Sequence, residues 1–213
     1  MAVWQYQLNI IPKSGIIEKY GEVPNKLFID EKGWKDYWDN VKFDNGFPDP
    51  EFEDARTIKW WKNTVLNIQE TANQIDNLVK RGDWSNGKDF IGWKGDSAKE
   101  EDNDCHIAFD EKTLVISEFQ FRTDLRNIEK ARSFMQGILD ICAENNLLVM
   151  NTDGLLYEPE IELIFEDIKK SNAVKFLTNP VKFIEEIAEN EDNILRIDPK
   201  RESIWKKIKS IFN

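Results

Sequence analysis

Residues 3–11 alternate: Trp4, Tyr6, Leu8 and Ile10 fall on one face, Val3, Gln5, Gln7 and Asn9 on the other. A period of two over this length predicts a half-buried strand, ended by Pro12, Ser14 and Gly15. In the less regular stretch 16–52, Asp30 opening onto Gly33, Trp34, Tyr37, Trp38 and Val41 predicts a short amphipathic helix with Asp30 as its cap. Residues 44–50 read as turn-rich loop. The period then changes. Ile58, Trp61, Val65, Ile68, Ala72, Ile75 and Val79 recur at spacings of three and four, which predicts a helix over 54–81 closed by Gly82. Its opposite face lacks ordered charge pairing, so packing on a sheet suits it better than a coiled coil.

Gly87, Gly92 and Gly95, followed by the acidic run Glu100–Asp104, predict surface loop with a short edge strand at 89–93. Residues 105–109 and 113–122 predict a hairpin around Asp110-Glu111-Lys112. In its second strand Val115, Phe119 and Phe121 face one way, and Glu118, Gln120 and Arg122 the other. Thr123-Asp124 would cap a helix bearing Leu125, Ile128, Ala131, Met135, Ile138 and Cys142, stopped by Asn145-Asn146. Leu147–Met150 is a buried strand, and Asp153-Gly154 a turn. Two helices follow, over 159–170 (Ile161, Ile164, Ile168) and 180–190. Pro180 opens the second, and Val181, Ile184, Ile187 and Ala188 form its stripe.

The order strand, helix, strand, strand, helix, strand predicts an α+β fold. Its arrangement would be ferredoxin-like, a split βαββαβ antiparallel sheet with helices on one face and extra C-terminal helices. One domain would span 1–198. Residues 199–213, with Ile204, Ile208, Ile211 and Phe212 beside five cations, would form a basic amphipathic helix or tail. The sheet's other face would carry Gln5, Gln7, Asn9, Glu118, Gln120 and Arg122, an unusually polar set.

Charge narrows the partners. The 213 residues carry a net −11, a field that repels phosphates and so opposes nucleic acid and anionic membranes. Apolar runs of four residues or fewer predict no membrane span, and the opening residues resemble no secretory signal, so the expected location is cytoplasmic. Cys105 and Cys142 are too few for a disulfide framework and are expected as buried free thiols.

No catalytic residue, metal ligand set or cofactor motif emerges. His106 is the single histidine, and as strand neighbours His106 and Cys105 point to opposite faces, which opposes a Cys-His nucleophile. One histidine and two distant cysteines make no zinc site. The stretch Gly82 to Asp89 has the glycine and lysine spacing of a phosphate loop, but Asp89 stands where a Ser or Thr must hold Mg²⁺. A calcium loop opening at Glu100 needs glycine where Cys105 stands, and one opening at Asp102 needs glutamate where Thr113 stands. Glu118 beside Arg122 suits a salt bridge better than a general acid. The run Glu100, Glu101, Asp102, Asp104 therefore reads as a solvated acidic loop able to dock a cationic partner. Trp84 and Trp93 are candidate interface anchors, with Trp60 also lacking an obvious core role.

The string Phe119-Gln120-Phe121-Arg122-Thr123-Asp124-Leu125-Arg126 runs from a strand toward a long helix. A Leu-Leu-Val strand, an Asp-Gly turn, Ser171–Phe176 and an Asn-Pro-initiated helix follow. With the opening Trp4-Gln5-Tyr6 strand and Pro12, this resembles immunity-type proteins encoded beside polymorphic toxins in bacteria, loosely over 1–190 and better over 115–190. The resemblance implies a protein that binds and blocks a cognate toxin without catalysis, and it transfers no residue-level site. The expected partner surface combines the acidic run and its aromatics with the sheet face of Gln5, Gln7, Glu118, Gln120 and Arg122. The alternative is an enzyme or small-ligand receptor working around Glu118 and Arg122. A deep pocket converging on those two would favour it, and a broad, shallow acidic face would favour the inhibitor.

Overall fold

The N-terminal alternation is realised as β1 (Gln5–Pro12), with Leu8 and Ile10 buried. The computed structural model describes residues 2–42, 48–85 and 87–195. In it β1 is an inner strand of a six-stranded antiparallel sheet, ordered β2-β3-β4-β1-β5-β6. The other strands are β2 (Phe90–Lys94), β3 (Asp104–Phe109), β4 (Ile116–Asp124), β5 (Leu147–Asn151) and β6 (Leu156–Tyr157). The helices are α1 (Lys13–Tyr20), α2 (Glu31–Asn40), α3 (Ile68–Asp76), α4 (Ile128–Glu144), α5 (Ile161–Ile168), α6 (Asn172–Thr178) and α7 (Pro180–Leu195). The fold is α+β.

Register sorts the side chains. Trp93 lies opposite Cys105, Cys105 opposite Phe121, and Phe121 opposite Leu8, which puts all four on one face. That face is buried beneath α4, whose Phe134 ring meets Phe121 edge-on at 6.0 Å. Trp61 packs tilted on Phe119 at 6.3 Å, and Asp76 at the end of α3 accepts a hydrogen bond from Trp93 Nε1. Each such aromatic contributes about 1.5–3 kcal/mol by leaving water, so this layer is the core.

Both sheet edges are covered. Residues 80–82 bond along β2, with Gly82 N–H donating to the Gly92 carbonyl and Lys94 N–H to that of Lys80. At the other edge Leu156 N–H donates to Asn25 and Leu27 N–H to Gly154. Gly154 has φ +89°, and a Cβ there would sit 2.4 Å from the Leu27 carbonyl oxygen, so only glycine fits. Covered edges leave little template for strand addition.

The structure corrects several expectations. The helix expected over 54–81 is only α3; residues 55–63 turn irregularly, and Val65, on the anticipated apolar stripe, is 98% exposed. The cause is local. Asp54 accepts the amides of Asp30 and Arg56, and Thr57 Oγ1 donates to the Phe52 carbonyl, which ties this stretch into side-chain-bonded turns. Asn67 then caps α3 by accepting from Glu70 N–H. Thr123-Asp124 does not cap α4: both belong to β4, and Asn127 is the cap. Pro12-Ser14-Gly15 ends β1 but opens α1, since proline is tolerated at a helix entrance. The α7 stripe is also displaced. Val181, Ile184 and Ile187 are exposed, whereas Phe183 is buried edge-on against Phe176 of α6. The expected basic helix at 200–212 and much of the loop 44–50 lie outside the described residues.

The expected cap of α2 is present, with Asp30 Oδ1 accepting from Gly33 N–H at 2.8 Å. The edge strand at 89–93 appears as β2, and the buried strand 147–150 as β5.

Candidate functional site

The second face of the sheet is polar, and its rows run across four strands. One row reads Lys94, Asp104, Arg122, Gln7 from β2 to β1, and the next reads Gly92, His106, Gln120, Asn9. Directly opposed residues share a face and lie within reach of one another, so charges of opposite sign in one row pair. Arg122 Nε donates to Asp104 Oδ1 at 2.7 Å, and Lys94 Nζ lies 3.3 Å from Asp104 Oδ2. Gln5 Nε2 adds a bond to the same Oδ2 at 3.2 Å and another to the Asp102 carbonyl. Asp104 is thereby held by two cations and an amide, and it is buried.

The row continues into a corner built on Asp102, Asn103 and Asp124, all buried. Lys94 Nζ lies 2.5 Å from Asp102 Oδ1, in ion-pair contact without an aligned hydrogen bond. Asp102 N–H donates to Asp124 Oδ2, and Asp124 N–H to Asn103 Oδ1. Arg126 clasps the Asp124 carboxylate through Nε and Nη2 while its guanidinium lies 4.5 Å from the Trp4 ring centroid. Burial works to raise the Asp124 carboxyl. The Arg126 guanidinium and the amides of Arg126 and Asp102 outweigh it and hold the group below the usual carboxylate range.

Further along β3, His106 Nε2 lies 3.1 Å from Glu118 Oε2, and Phe90 stacks on the imidazole with centroids 5.3 Å apart. Gln120 Nε2 approaches the same ring at 3.3 Å. Glu118 and Arg122 thus pair with His106 and Asp104, not with each other. Two residues on one strand four positions apart are separated by about 13 Å, which is why the expected Glu118–Arg122 bridge does not form. A cavity of about 290 Å³ beside Glu118 is lined also by Ser117, Arg56, Trp60, Trp61 and Met150, and it does not reach Arg122. Cys105 points away from His106 into the core. Desolvation pushes the Cys105 and Cys142 thiols well up, and both are free.

The acidic run is not one solvated loop. Asp102 and Asp104 are buried and paired inside the sheet corner. Glu101 ion-pairs with Lys130, and of the four acids only Glu100 is exposed. Of the tryptophans, Trp93 is 1% exposed and held by Asp76 and the Arg81 guanidinium, so it is core and no anchor. Trp60 is buried too, donating to the Ala55 carbonyl. Trp84, 62% exposed, remains available to a partner. Gln5 is buried in the network above, while Gln7, Gln120 and Arg122 are half-exposed on the open face.

Sequence reasoning passed over Lys94 and His106 as members of this face; the alternation of β2 and β3 carries the signal. It also passed over a cavity of about 540 Å³ where β1 runs past the end of β5. There Asp167 accepts from both the Tyr6 hydroxyl and Asn151 Nδ2. Burial, and next the Asp167 carboxylate, raise the Tyr6 phenol; burial and the same charge push Tyr157 up to about 12. Among the described residues no group of three or more His, Cys, Asp or Glu is placed to hold a metal ion. No described helix is long and apolar enough to cross a membrane. No family model, curated protein or solved structure matches the chain.

Proposed function

We propose that the protein is a non-catalytic binding protein of the immunity type, which captures and blocks a basic bacterial toxin by charge and shape. One observation carries the reading. The polar sheet face is broad, the charged groups around Asp102 and Asp104 are already partnered by one another, and the cavity beside Glu118 stops short of Arg122. A surface with its ionic groups satisfied and its two thiols buried suits recognition better than turnover. The net −11 supplies long-range attraction to a cationic partner. The enzyme or receptor alternative draws less support, because Glu118 and Arg122 do not converge on a common cavity.

The ferredoxin-like reading of the inner strands belongs to the same proposal. Its support is the order β3-β4-β1-β5, with α3 on the connection from β1 towards β3 and α4 on that from β4 to β5.

The test is neutralisation. The protein encoded beside this one is expressed in a bacterial host alone and together with this chain. Growth arrest by the neighbour, relieved by co-expression, is expected. Arrest that persists while this chain accumulates in folded form overturns the proposal.

A further inference from the structure

The expected acidic surface on the sheet corner is internally neutralised, so the excess negative charge lies elsewhere. Between Phe28 and Thr57 the sequence holds nine carboxylates against four cations, close to half of the whole net charge in thirty residues. The same stretch holds seven aromatic residues. Its centre is α2, none of whose ten residues is buried although Trp34, Tyr37 and Trp38 form a stripe at helical spacing. Trp38 is 55% exposed and nearby Phe28 65%. Trp34 meets Phe52 edge-on at 5.2 Å and Trp38 near-parallel at 6.3 Å, which builds a ridge of rings with water on its outer side. Glu31, Asp36, Asp49 and Glu51 stand around it with no ion pair among the described residues.

Hydrogen bonds tie the ridge to the segment 48–54. Buried Asp54 accepts the Asp30 amide at 2.6 Å, Asp30 in turn caps α2, and Tyr37 donates to the Pro48 carbonyl. A side chain at Gly33 would meet the Asp30 carboxylate and the Phe52 ring, at 2.6 and 2.8 Å from its Cβ, so the first turn of α2 packs closely on both.

The fold itself displays what such a surface recognises. Arg126 lies over Trp4 while bound to Asp124, and Arg81 lies over Trp93 while bound to Asp76. In both, one guanidinium is shared between an indole face and a carboxylate, the pairing that planar, weakly hydrated arginine favours over lysine. The α2 ridge offers both rings and carboxylates, with Arg56 over Trp34 as its one guanidinium contact among those described.

We propose that this aromatic, acidic α2 surface, and not the polar sheet face, is the docking site, and that its occupant is an arginine-rich face of a partner protein. The inference rests on the binding-protein reading and adds to it where and by what chemistry the partner is held.

The probe is a synthetic peptide alternating arginine and leucine, titrated into the ¹⁵N-labelled full chain at physiological salt. Shifts in the Trp34 and Trp38 indole resonances and in α2 amides are expected. Trp38→Ala, which changes no charge at an exposed position, should weaken binding tenfold or more, and Glu118→Gln on the sheet face less than twofold. Replacing the arginines by lysine should also weaken it. Shifts confined to β3 and β4 overturn this site while leaving the neutralisation result standing. Equal affinity for wild type and Trp38→Ala, or no shift at all, likewise overturns it.

Discussion

Arg122 Nε donates to Asp104 Oδ1 at 2.7 Å between directly opposed positions of β4 and β3, and Asp104 is buried while Arg122 keeps its outer side in water. A second cation, Lys94, approaches the other oxygen of the same carboxylate. Removing Asp104 would leave Arg122 without its carboxylate and Lys94 with Asp102 alone. Asp104→Ala should therefore destabilise the fold by about 2 kcal/mol, a fully buried pair discounted for the exposure of both cations. Urea unfolding reads this directly. A loss below about 0.5 kcal/mol would mean the row is ornamental.

Acid should weaken the protein through Asp124 and Asp76. Burial pushes both carboxyls up, but Arg126 on one side, and Arg81 with Trp93 on the other, bring them below their ordinary range. A carboxyl depressed in the folded state adds stability that is complete above its unfolded pKa of about 4 and is lost as pH falls through the lower, folded value. Unfolding midpoints should hold steady from neutral pH to about 5 and fall steeply below 4. Asp124→Asn should lower stability at neutral pH and flatten the acid slope. An unchanged slope would exclude Asp124 as its source.

Cys105 and Cys142 are buried against each other's layer, with thiols raised by desolvation. The thiolate is the reactive form, so the native chain should resist a thiol-specific reagent at pH 8 over hours. In denaturant both thiols should react at once. Rapid labelling of the native protein would show that the interface between β3 and α4 opens readily.

Trp61 and Val65 sit four residues apart on what the sequence presents as one helical stripe, yet Trp61 is buried against Phe119 and Val65 is in water. Trp61→Ala should cost about 3–5 kcal/mol through the cavity it leaves. Val65→Ser should stay within about 0.5 kcal/mol. Similar losses at the two positions would contradict the exposure of Val65.

That pair also marks where the sequence stops being legible. Strands β1, β3, β4 and β5 were readable because an inner strand must alternate or be wholly apolar, and Leu8, Phe121 and Val149 obey that constraint. The helix boundary at Asn67 was not, because the apolar period continues through a segment that Asp54 and Thr57 tie into turns. Likewise the acidity of Glu100–Asp104 is plain in the sequence, but whether it faces water depends on Lys94 and Arg122 arriving from two other strands. The α2 ridge was half visible: its cap and aromatic spacing were there to be read, and its failure to become buried was not.

Attraction between this acidic chain and a basic partner is tested most directly by the association rate with the protein encoded beside it. Measured by stopped flow, the rate constant should fall at least tenfold as salt rises from about 10 mM to 500 mM, because screening shortens the reach of charge steering. A rate constant that does not change with salt, or a failure of the two proteins to associate at low salt, would contradict it.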